Sequence, residues 1–161
     1  MIQRFQSLFL VGLAILMGIS LFTKTWAKEN LQTHQKAVLT PFYISHTKIN
    51  GMNVSETIDK PVFYIAVAVV IAIGLAFWAL FSYNNRLLQM KICIGNSALL
   101  TLILVLNVWG WFQAKALFDP AISGDFAFGF LAPTFALLFN RSAIYFIRKD
   151  ENLVRSADRI R

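Results

Sequence analysis

Charge is scarce in this chain. Of its 161 residues, 14% are Asp, Glu, Lys or Arg, against about 25% in ordinary soluble domains. One cysteine, Cys93, excludes an intrachain disulfide and any multi-cysteine metal centre. The two histidines, His34 and His46, have only Glu29, Glu56 and Asp59 nearby, at no metal-ligand spacing. A zinc site needs three or four ligands, so no metal is expected. Ser-His-Asp constellations, paired carboxylates, HExxH and Gly-rich phosphate loops are all missing. The expectation is a chain that is not an enzyme, with no catalytic residues and no cofactor. What is abundant is apolar: 57% hydrophobic residues and a mean hydropathy of +0.59, with a net charge of +7. That hydrophobicity excludes intrinsic disorder. It also argues against a soluble nucleic-acid-binding domain, whose basic charge covers a polar surface.

The gaps between charges locate the apolar residues. Runs 5–23, 61–85, 92–114 and 126–140 carry no charge. A membrane helix needs about 20 apolar residues, and ions are costly at the bilayer centre. The fourth run is short, but Ser142 to Ile147 extends it, because Arg141 near a helix end reaches the interface with its long stem. The predicted fold class is therefore all-α: a polytopic membrane protein with four transmembrane helices at about 5–23, 62–83, 92–113 and 126–147. Residues 24–60 form an outer loop and 148–161 a basic amphipathic C-terminal helix. The whole chain, 1–161, reads as one membrane domain. The first span is longer than a signal-peptide core and lacks a small-x-small cleavage site, so it is read as uncleaved.

Alternating spans put nine basic and three acidic residues on the side of both termini, net +6. The other side has six basic and five acidic residues, net +1. All seven arginines fall on the first side. By the positive-inside rule both termini are expected in the cytoplasm. Trp26, Tyr83, Trp109 and Trp111 mark span boundaries, where an aromatic ring with a polar edge suits the headgroup level.

In the outer loop, Asn50-Gly51 signals a two-residue turn, with 47–49 and 52–54 as flanks of a short hairpin. Leu31 to Leu39 carries a weak helical pattern. The loop reads mainly as a connection with some β content, and secondarily as a partner-binding cap. Within span three, Asn96 and Asn107 are 11 residues apart, close to one helical face. Two uses compete: interhelical hydrogen bonding, which is favoured, and a polar path for a small solute. Gly129 and Pro133, four apart in span four, predict a kink, since proline frees the Gly129 carbonyl.

The tail carries an apolar stripe, Phe146, Leu153 and Ile160, beside basic residues Arg148, Lys149, Arg155, Arg159 and Arg161. These five are the candidate partner contacts. The targets weighed are other membrane proteins, anionic lipid and, as the one nucleic acid, ribosomal RNA; the alternative is a solvated helix that only fixes topology. The opening Met1-Ile2-Gln3-Arg4-Phe5-Gln6-Ser7 and the ending Arg148-Lys149-Asp150-Glu151-Asn152-Leu153-Val154-Arg155-Ser156-Ala157-Asp158-Arg159-Ile160-Arg161 are distinctive. Together they resemble an uncharacterised bacterial domain-of-unknown-function family of four-span inner-membrane proteins. The resemblance implies a bacterial inner membrane and brings no activity. The expected function is a structural or accessory subunit docking to a larger membrane complex. A small transporter or channel using the polar face of span three is the alternative.

Overall fold

The computed structural model describes residues 3–30, 34–50, 53–116 and 124–158, with the backbone alone at 3, 4, 48–50, 53–59, 155, 157 and 158. The described residues form four helices: α1 (Gln3–Phe22), α2 (Tyr64–Phe81), α3 (Arg86–Lys115) and α4 (Phe128–Asp158). All four are long and apolar enough to cross a membrane. Each helix packs on its sequence neighbours, and α1 closes the ring against α4. This up-and-down order places the start of α1, the α2–α3 turn and the end of α4 at one end, hereafter the tail end.

A shared spacing builds the bundle. Buried residues recur at alternating steps of three and four: Leu10, Leu13 and Met17 on α1; Ala72, Ala76 and Ala79 on α2; Cys93, Asn96, Leu100, Ile103 and Asn107 on α3. On α4 the stripe includes Ala132, Ala136, Asn140, Ala143 and Ile147. Such a seam suits knobs-into-holes packing at a shallow crossing angle. α2 and α4 present mostly alanine, so their backbones approach the larger side chains of α1 and α3 closely. The outside is the reverse of a soluble bundle. Leu8, Ile15, Phe22, Val67, Ile71, Trp78, Leu102, Val105, Phe135 and Leu138 are all exposed. Trp78 thus lies on the outside of the bundle.

The all-α expectation is corrected by a five-stranded antiparallel sheet. The strands are β1 (Trp26–Asn30), β2 (Gln35–Leu39), β3 (Tyr43–Asn50), β4 (Asn53–Pro61) and β5 (Asp125–Phe126), in the order β4-β3-β2-β1-β5. Most of the described residues of the outer loop are therefore in strands. Residues 35–39, expected to lean helical, form β2 because they pair on both edges, with β1 and with β3. The hairpin at Asn50 exists but is shifted. Asn50 faces Asn53 and Ile49 faces Val54, so the connecting pair is 51–52, outside the described residues.

Trp26, Leu39 and Ile44 occupy one cross-strand row and bury themselves against Ile65 of α2 and Ala114 of α3. This apolar row seats the sheet on the bundle. Gly129 explains how α4 enters beside the end of α1. Its N–H donates to the Lys24 carbonyl at 3.1 Å, and a Cβ there would lie 2.6 Å from that oxygen. Any larger residue would push α4 away. Pro133 lies inside α4, which runs as one helix of 31 residues, about 46 Å long.

Candidate functional site

Two regions of this bundle carry chemistry: its polar interior and its tail end. Asn96 and Asn107 are both buried on the α3 seam. Neither Asn96 side-chain atom has a hydrogen-bond partner among the described residues, nor has Asn107 Oδ1. The interhelical bond comes from Asn140 instead. Its Nδ2 donates to the Cys93 carbonyl at 2.7 Å and to Ser97 Oγ at 2.8 Å, tying α4 to α3. Gln6 and Gln89 add two more buried carboxamides nearer the tail end.

These carboxamides divide the core into layers. Leu13, Met17, Leu100, Ile103 and Ala136 fill one apolar cluster, and Leu10, Cys93, Ala143 and Ile147 another. On α3 and α4 respectively, Asn96 and Asn140 fall between those clusters in sequence. Asn107 lies beyond the first, toward the sheet. The apolar layer interrupts any polar line from Asn96 to Asn107.

Asn140 escaped the sequence reading because it abuts Arg141 and marked the end of an uncharged run. Gln89 escaped because it lies in a segment taken as a connection. The signal that finds Gln89 is its spacing, seven residues before Asn96 on the same seam. Asn140→Leu should remove the α3–α4 tie and lower stability by roughly 0.6–2 kcal/mol, the range for one membrane interhelical hydrogen bond. Thermal unfolding in mild detergent checks this.

At the tail end, Ser82–Asn85 turns the chain from α2 into α3. Asn85 caps α3, its side-chain oxygen accepting from the Leu88 N–H at 3.1 Å. One residue on, Arg86 reaches α4. It pairs with Asp150 at 3.0 Å and with Glu151 at 4.0 Å. All three side chains are largely covered, at 21%, 16% and 20% exposure. Asp150 and Glu151 are therefore committed to the bundle.

The candidate contacts Arg148 and Lys149 are exposed. Arg155 is in α4, with its side chain undescribed; Arg159 and Arg161 lie outside the described residues. The expected stripe splits. Phe146 stacks on Phe5 and Phe9 of α1, at 5.9 and 5.5 Å between ring centres. One heptad further, Leu153 is 51% exposed. Val154, one heptad past the fully buried Ile147, is 41% exposed. The inward seam of α4 thus continues beyond the helices that cover it.

Residues 2–160 match the family described as a domain of unknown function, DUF4293. The chain belongs to the DUF4293 family. No curated protein matches it. The match takes in the whole bundle, the sheet and the tail helix, so the DUF4293 unit comprises all three parts. Its description assigns no activity, and the layered core and the uncovered end of α4 are the features from which a function must be argued.

Proposed function

We propose that this DUF4293 chain is a non-catalytic membrane subunit that docks to other membrane proteins through the end of α4. In this reading four spans cross a bacterial inner membrane, with the tail end cytoplasmic and the sheet outside. The belt of exposed apolar side chains on all four helices supports the membrane placement. Soluble monomers rarely expose contiguous apolar patches beyond a few hundred Å². The arginine bias supports the orientation.

The observation that carries docking is the uncovered seam at Leu153 and Val154. A helix that served only to fix topology would need basic residues alone. Here a leucine and a valine continue the packing face of α4 while Asp150 and Glu151 are held by Arg86. A partner helix laid on that seam meets an apolar strip beside unneutralised Arg148 and Lys149. Among the core carboxamides, Asn140 acts as an interhelical tie. A solute path along α3 has less support, because Leu100 and Ile103 fill the level between Asn96 and Asn107.

The test is extraction in mild detergent followed by native mass spectrometry. The unaltered chain should be recovered in a defined assembly with at least one other membrane protein. Leu153→Asp with Val154→Asp should release it as a single folded chain. Recovery of the unaltered chain alone, or an assembly indifferent to both substitutions, would overturn docking through this seam.

A further inference from the structure

We propose that the outward face of α4 at the tail end is a binding site for one anionic phospholipid of the cytoplasmic leaflet. The proposal rests on the membrane placement argued above and concerns the face of α4 that adjoins the docking seam and shares Leu153 with it. Arg141, Tyr145, Arg148, Lys149 and Asn152 stand at i, i+4, i+7, i+8 and i+11, which is one helical face. All five are exposed, Tyr145 at 62%. Two adjoining clefts run along this face. One, of about 350 Å³, is lined by Tyr145, Arg148, Lys149, Asn152 and Leu153. The other, of about 170 Å³, is lined by Arg141, Ile144, Tyr145 and Arg148. Tyr145 and Arg148 belong to both.

Charge selects the occupant. Three cations line the face, and among the described residues none of them is in an ion pair. The nearest acids in sequence, Asp150 and Glu151, are engaged by Arg86 on the inward side. A single zwitterionic headgroup offsets none of this surplus; an anionic one offsets part of it. Guanidinium groups bind phosphate oxygens in a forked geometry, so Arg141 and Arg148 suit the phosphate. Tyr145 between them places a ring at the hydrocarbon boundary and a hydroxyl among the headgroups. Below Arg141 the same face continues as exposed Leu138 and Leu131, a track for an acyl chain. A free phosphate would use the cations and leave that track bare.

The test uses the full chain reconstituted in phosphatidylcholine vesicles with trace spin-labelled lipids. The motionally restricted fraction of spin-labelled phosphatidylglycerol is compared with that of spin-labelled phosphatidylcholine. The expected result is a preference for phosphatidylglycerol of roughly fivefold, about what one basic residue gives at an anionic surface. Arg141→Gln with Arg148→Gln should bring the ratio close to one, while Lys24→Gln with Lys60→Gln at the sheet end should leave it unchanged. Equal restriction of both lipids by the unaltered chain would overturn the proposal. So would a preference that survives the arginine substitutions, or one abolished by 10 mM inorganic phosphate at constant ionic strength. If no lipid of either kind is restricted, the chain is not inserted and the membrane placement itself fails. Restriction without preference leaves that placement standing and removes this site alone.

Discussion

Trp26→Ala should separate the sheet from the bundle and lower stability by roughly 3–5 kcal/mol, the range for truncating a large buried aromatic. Trp26 is 1% exposed and is the largest side chain in the cluster that joins the two parts. Leu39 and Ile44 share its row, and Ile65 and Ala114 receive it from the helices. Gly124 shows how tightly the site is filled, since a Cβ at that position would collide with the indole ring. Few atoms can move in to fill the space, because β1 is fixed by pairing on both edges, with β2 and with β5. The expected signs are a lower unfolding temperature in detergent and protease cleavage between residues 24 and 61. A change under about 1 kcal/mol, with the sheet still resistant, would mean that Trp26 is not the anchor.

Ala72→Leu should loosen the bundle by about 1–3 kcal/mol through overpacking. Ala72 is fully buried at the middle of the α2 seam, in one cluster with Leu13, Met17, Leu100 and Ile103. Within lipid the hydrophobic effect does not press helices together, so their association depends on close contact and hydrogen bonds. Three extra carbons at Ala72 hold α2 away from its neighbours, and lipid then replaces the lost contacts at little cost. The control is Gly74→Ala. Gly74 is exposed, and a Cβ there meets nothing within 4 Å. That substitution should be neutral or stabilising by up to about 1 kcal/mol from helix propensity. Thermal unfolding of both variants in one detergent separates the seam from the exposed face.

The helices were legible because charge is expensive in lipid, and the uncharged runs stand out even without a packing pattern. Their full lengths were less legible. Arg86 and Gln89 look like connection residues, yet they start α3, since Asn85 caps it and Arg86 has acids on α4 to meet. The sheet was legible only as some β content in the loop and at its turn. Asn50-Gly51 is a local signal, whereas β1 and β2 are five residues each and β5 is two, lengths at which pairing partners decide the structure. β1 even places Lys28 on the same buried face as Trp26, which breaks the apolar alternation that would have marked it. The stripe expected in the tail divides, Phe146 packing on α1 while Leu153 stands exposed, and Ile160 lies outside the described residues. The engagement of Asp150 and Glu151 by Arg86 joins residues more than sixty positions apart and has no local signature.

Topology is the claim on which the docking and lipid proposals both depend, and one measurement reaches it directly. In a chain with Cys93→Ser, single cysteines are introduced as Glu29→Cys in β1 and Asn152→Cys in the tail helix. Intact bacterial cells are treated with a membrane-impermeant maleimide, then lysed and treated again. The account predicts labelling of Glu29→Cys in intact cells and of Asn152→Cys only after lysis. Labelling of Asn152→Cys from outside, or protection of Glu29→Cys until lysis, would contradict it.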